Sequence, residues 1–112
     1  MSETYVITGA SDGVGAAAAR LLHATRPDDR MVVVGRNPEK TRAVGRELGT
    51  DYFTADFSEL DQVRALAEEL SQLGPIRGLA NNAGGLFDTA VRTVDGYERT
   101  WQVNVVAPFL LT

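Results

Sequence analysis

No cysteine occurs among the 112 residues, which excludes disulfide frameworks, thiolate nucleophiles and cysteine-ligated metals. His23 is the sole histidine, without metal-ligand partners at useful spacing, and it reads as a surface residue of a helix. Positive charge is scarce: 11 Lys and Arg stand against 15 Asp and Glu, a net charge of −4. That balance gives no electrostatic footprint for a nucleic-acid backbone or an anionic membrane. Lys40 is the only lysine, a compositional bias rather than a functional signal. No apolar run is long enough to span a bilayer and no leader-like segment opens the sequence, so a cytoplasmic protein is expected. Repeats, linkers and low-complexity tracts are absent as well. What remains is an ordinary globular composition, 44% hydrophobic and 23% charged, read as one domain over 1–112.

Strand-like and helix-like segments alternate along the chain. Tyr5–Thr8 reads as a strand and Val14–Thr25 as a helix, its alanines permitting close packing on a sheet. The β-branched run Met31–Val34 follows a turn at Arg26-Pro27-Asp28-Asp29. Asn37 is placed to cap a helix that has Pro38 at its first position and Gly49 just past its end. Tyr52–Ala55 makes a third strand. Ser58 with Asp61 suggests a capping box for a helix striped by Leu60, Val63, Leu66, Ala67, Leu70 and Leu73. Gly74-Pro75 ends it, Arg77–Asn81 is a fourth strand, and a last helix is expected from Asp95 onward. Trp101, Phe109, Leu110 and Leu111 fit an apolar face of that helix. Four β-α units predict a parallel sheet covered on both faces, with right-handed crossovers giving strand order 3-2-1-4 and a ligand site at the switch between the first and fourth strands.

The chemistry is concentrated where the first strand empties into a helix, at Thr8-Gly9-Ala10-Ser11-Asp12-Gly13-Val14-Gly15. Glycines let the backbone turn sharply and approach a ligand, and a helix N-terminus offers unpaired N–H groups to an anion. A Walker-type phosphate loop would need Gly-Lys-Ser/Thr, which is missing. The spacing Thr-Gly-x-x-x-Gly-x-Gly resembles the cofactor loop of the short-chain dehydrogenase/reductase family. Asn81-Asn82-Ala83-Gly84 is similar to that family's Asn-Asn-Ala-Gly signature, and Trp101–Phe109 resembles its helix bearing a catalytic asparagine. The resemblance covers Tyr5 to Thr112 with the motifs in family order. The phrase Asp95-Gly96-Tyr97-Glu98-Arg99-Thr100 looks most like a retinol-dehydrogenase-like branch.

The resemblance implies an α/β, Rossmann-type, truncated doubly wound fold that binds a nicotinamide dinucleotide. Gly9, Ser11, Gly13 and Val14 are then expected on the pyrophosphate side, with Asp12 and Gly15 in the same cradle. Glycine stands at 35, where NAD-preferring relatives would carry Asp, and Arg36 follows. An arginine suits a 2′-phosphate, so NADP(H) is the expected cofactor, NAD(H) the alternative. Asp12 carries the wrong sign for NADP at a loop position where the family often has a basic residue. Asn37 neighbours Arg36 as a further cofactor-binding candidate. Asp56 is expected on the adenine amino group with Phe57 lining its pocket, although an Asp after a strand also commonly serves as an ordinary loop cap. Asn82, Ala83 and Gly84 should line the route to the nicotinamide, Val103 should join them, and Asn104 should support a water in the family's proton relay.

The family's Tyr-x-x-x-Lys pair and its serine have no counterpart: Trp101 stands four residues after Tyr97, and Arg36 four before Lys40. A positioned proton donor of that kind supplies about 10²–10⁴-fold in rate. The chain alone is accordingly expected to be inactive, its activity depending on a C-terminal half. Two other readings stand beside this one, a non-catalytic dinucleotide-binding module and a structural subunit whose sheet is completed by a second copy or a partner.

Overall fold

The computed structural model describes residues 3–11, 13–84 and 92–112. Strand β1 (Thr4–Thr8) leads into helix α1 (Gly13–Thr25), then β2 (Arg30–Gly35), α2 (Pro38–Leu48), β3 (Asp51–Thr54), α3 (Leu60–Ser71) and β4 (Gly78–Ala80). A final helical stretch comprises α4 (Arg99–Trp101), a π-helical turn (Gln102–Val106) and α5 (Ala107–Leu111). The four strands form one parallel sheet in the order β3-β2-β1-β4, as the crossover rule predicts.

Alternate residues of each strand point to opposite faces, so a sheet buried on both sides is built from unbroken apolar runs. Val6, Val32 and Val34 pack with Phe57, Leu60, Val63, Leu66 and Leu70 of the α3 side and with Ala107 and Leu111 of α5. On the opposite face, Ile7, Met31 and Val33 meet Ala16 and Ala19 of α1 and Val44 of α2. Burying such a side chain contributes roughly 1.5–3 kcal/mol, so the two inner strands, β1 and β2, are held from both sides. Asn37 caps α2 as expected, its Oδ1 accepting the Lys40 N–H at 3.0 Å, and Gly49 closes that helix at φ 65°.

Three local expectations fail, each for an identifiable reason. Ser58 does not cap α3; its N–H and hydroxyl both donate to Asp56 Oδ1, at 2.9 and 2.7 Å, closing an Asx turn. Asp95 does not begin the last helix. Residues 92–98 fold back on themselves, with Thr93 N–H donating to the Tyr97 carbonyl and Gly96 at φ 86°, and helix starts only at Arg99. The apolar residues of that helix do not share one buried face: Leu111 is in the core, whereas Trp101 and Phe109 are 56% and 84% exposed.

The π turn has a local cause. Pro108 has no N–H and its ring collides with the carbonyl four residues earlier, so α-helical bonding cannot continue through Asn104. The Ala107 N–H instead reaches five residues back to the Gln102 carbonyl. In an α-helix residues five apart point about 140° away from each other; with this wider turn, Gln102 and Ala107 are both fully buried.

Candidate functional site: a cleft at the carboxyl ends of the strands

The chain leaves β1 for β2 and β3 on one side, then crosses to β4 on the other, so β1 and β4 flank the switch point. A cleft of roughly 500 Å³ opens there, between the loops that follow all four strands. Gly9 and Ser11 line it after β1, Gly35 and Arg36 at the end of β2, Asp56, Phe57 and Ser58 after β3, and Ala83 and Gly84 after β4. Val103 and Arg99 close it from the last helical stretch.

The loop after β1 is shaped by glycines that have different tasks. Gly9 takes a left-handed φ of 67°, and a β-carbon there would come within 2.8 Å of the Ala83 Cα. Gly15, in the first turn of α1, has the Gly9 carbonyl where a side chain would go, and Asn82 Nδ2 2.6 Å from that point. Asn82 Nδ2 in turn donates to the Gly9 carbonyl at 3.3 Å. The signature after β4 and the loop after β1 are therefore packed as one unit. Gly13, at the mouth of α1, has nothing within 4 Å of a built β-carbon, so open space lies beside the helix N-terminus. The open approach, the helix N–H groups and a glycine-lined wall suit a pyrophosphate.

Thr8 holds the same two strands together from beneath. It is fully buried; its Oγ1 donates to the Ala80 carbonyl at 3.3 Å and accepts the N–H groups of Asn82 and Ala83 at 3.1 and 3.0 Å. The sequence marks Thr8 as the first residue of the glycine motif but not as a brace between β1 and β4, which depends on the distant Ala80, Asn82 and Ala83.

Gly35 is fixed by crowding. A β-carbon there would lie 2.8 Å from Ser11 Cβ and 3.0 Å from Ser11 Oγ, and would also meet the buried Thr41 hydroxyl. A side chain at position 35 would force Ser11 and Thr41 to shift, while Arg36 stands exposed on the rim of the cleft. Asp56 borders the cleft, and its Oδ1 accepts the Ser58 N–H and hydroxyl, the local loop role that an Asp after a strand commonly takes. Its own N–H donates to Gln62 Oε1 at 2.8 Å.

Asn104 falls in the π turn, where its Oδ1 lies against Gly84, so the asparagine and the signature after β4 are brought together. Val14 is 78% exposed on α1, and Gly13, Val14, Gly15, Asn37 and Asn82 support or flank the cleft rather than line it. The expectation on Asp12 lies outside the described residues. Arg99 and Ser58 line the cleft without having been singled out as site residues. Among the described residues no three His, Cys, Asp or Glu side chains gather to hold a metal, and no helix is long and apolar enough to cross a membrane.

The sequence profile of the family described as short chain dehydrogenase matches residues 3–112. The chain belongs to the short-chain dehydrogenase family. It is 48% identical, over 96% of its length, to a Streptomyces protein that carries the provisional name daunorubicin C-13 ketoreductase, of which it covers 39%. A crystal structure of an uncharacterised Mycobacterium paratuberculosis protein superposes with a TM-score of 0.85 at 34% identity, over 98% of this chain and 40% of that one. A short-chain dehydrogenase from Sphingobium yanoikuyae, solved in complex with NADPH, superposes with a TM-score of 0.79 at 29% identity, over 97% of this chain and 45% of that one. This member of the family thus spans about two fifths of the length of these relatives.

Proposed function

We propose that this chain, as one domain over 1–112, forms the NADP(H)-binding portion of a cytoplasmic short-chain oxidoreductase that interconverts a carbonyl and an alcohol. The observation that carries the reading is the convergence of the glycine loop, Arg36, Asp56 and the Asn82–Gly84 signature around one cleft at the switch point. The cradle fits the cofactor: space is open beside Gly13, and the small residues Gly9, Ser11, Gly35, Ala83 and Gly84 line much of the cleft. Gly9, Ser11 and Gly13 would hold the pyrophosphate, Arg36 the 2′-phosphate, Asp56 and Phe57 the adenine, and Ala83, Gly84 and Val103 the nicotinamide side. Bound there, the nicotinamide supplies the hydride.

The preference for NADP(H) rests on Gly35 and Arg36 together. A carboxylate at 35, placed to take ribose hydroxyls, would force Ser11 and Thr41 to shift, and the guanidinium next to it is suited to bidentate phosphate pairing. Asn104, held against Gly84, is the described residue suited to orient a water beside the nicotinamide. A tyrosine–lysine proton donor has no counterpart in these residues, so this chain by itself is a binding unit without turnover. The name of the Streptomyces relative supports a ketone as the substrate class.

A second reading concerns completion of the sheet. Among the described residues β4 pairs only with β1, and a shallow apolar groove of roughly 360 Å³ lies beside it, lined by Tyr5, Leu22 and Leu79. An unpaired strand edge beside apolar surface favours cover by a further strand, from a C-terminal half or a second copy. Sedimentation of the chain at low micromolar concentration tests the second copy, and a clean monomer counts against it.

Titration with NADPH and, in parallel, NADH, followed by nicotinamide fluorescence, tests the main reading. Saturable binding with NADPH tighter is expected; binding of neither would sink it.

A further inference from the structure

The turn formed by residues 92–98 has no assigned task, yet its Thr93 and Asp95 side chains bond outside it, to Gln102 and to the start of α3. Helix α3 begins at Leu60 without a side-chain cap from its own N-cap residue, Glu59. Its first N–H donates instead to Asp95 Oδ2 at 2.9 Å, from 35 residues away in sequence. The same carboxylate oxygen accepts Gln102 Nε2 at 3.2 Å. Gln102 is fully buried, and Nε2 also donates to the Phe57 carbonyl at 3.1 Å, while Oε1 accepts the Thr93 hydroxyl. Both amide hydrogens and the amide oxygen of Gln102 are thereby used. The reverse orientation of the amide would aim its oxygen at two acceptors, so the network fixes it.

This arrangement joins parts of the cleft that no strand connects. Phe57 lines the wall after β3, and Gln102 opens the π turn that presents Val103 to the cleft and Asn104 to Gly84. Neither Asp95 nor Gln102 lines the cleft itself. We infer that Asp95 and Gln102 are positioning residues that clamp the adenine wall at Phe57 to the helix bearing Val103 and Asn104, setting the width of the dinucleotide cleft. A half-made buried polar network is worse than none, so loss of Asp95 releases both walls together. This deepens the proposed function and rests on it for its effect on cofactor affinity.

The experiment uses this chain with NADPH and with adenosine 2′,5′-bisphosphate as separate probes, alongside amide hydrogen exchange. Asp95→Ala is expected to weaken both ligands roughly tenfold, the size of a buried hydrogen bond left unmade, and to speed exchange at Leu60 and at residues 103–107. Asp95→Asn keeps an oxygen that can accept both bonds and is expected to bind within about twofold of the parent chain. Val44→Ala, on the opposite face of the sheet, lowers the melting temperature without changing either affinity. Parental binding by Asp95→Ala, or no rescue by Asp95→Asn, overturns the clamp. Should the parent chain bind neither probe, the proposed function fails and exchange decides the clamp. Joint acceleration at Leu60 and 103–107 in Asp95→Ala supports it, and acceleration confined to Leu60 overturns it.

Discussion

Asn104 Oδ1 occupies the space into which a β-carbon on Gly84 would project. The π turn and the loop after β4 therefore meet with no room between them. Gly84→Ala must push the two apart, and overpacking of this kind costs typically about 1–3 kcal/mol. Thermal unfolding should show the loss, and Asn104→Ala in the same chain should restore part of it, a non-additive pair. Simple addition of the two single effects would mean the contact is slack.

Thr8→Val keeps the branched shape but removes the acceptor of the Ala83 N–H and one of two acceptors of the Asn82 N–H, which also donates to the Ala80 carbonyl at 2.9 Å. Leaving the half-buried Ala83 N–H unpaired, at the low end of about 1–3 kcal/mol for such a donor, should lower the urea midpoint while the slope is retained. An unchanged midpoint would show that water serves those groups equally well.

Arg36→Asp is expected to shift preference from NADPH toward NADH, with most of the change in NADPH affinity. The dissociation constants of the two cofactors measure it directly. An unaltered ratio would remove Arg36 from the 2′-phosphate site. Gly35→Asp, by contrast, should destabilise the fold without improving NADH binding, because Ser11 and Thr41 already fill that space.

Arg20 and Glu47 tie α1 to α2 through two hydrogen bonds, 2.7 and 3.2 Å, on the surface. The hydrogen bond from Arg20 holds the Glu47 carboxyl below its ordinary value of 4.5. A carboxyl lowered in the folded state stabilises fully above that ordinary value and loses its contribution as pH falls through the lowered one. Glu47→Gln should thus melt slightly below the parent chain at neutral pH, with the gap closing in acid. A gap that stays constant with pH would assign the effect to something other than the ion pair.

The layout of the sheet was legible because it is written in local signals. Valine runs, Asn37-Pro38, Gly49 and Gly74-Pro75 mark elements without reference to distant residues. The glycine loop and Asn81–Gly84 located the cleft for the same reason. What stayed hidden depends on long-range pairing. Ser58 followed by Asp61 has the form of a cap, but Asp56 takes Ser58 and the helix is served by Asp95. Gln102 reads as a polar residue on a helix surface until the π turn sets it beside Ala107 in the interior. Thr8 opens the glycine motif, but only the return of β4 beside β1 gives its hydroxyl partners.

The π turn also sets a rotational phase. An α-helix advances about 100° per residue, so deleting a single residue from 102–106 would turn α5 by roughly that angle relative to the segment before it. The helix could then keep Ala107 and Leu111 on the core, or keep Val103 and Asn104 at the cleft, but not both. The wide turn acts as a phase correction between two surfaces that a uniform helix could not serve at once.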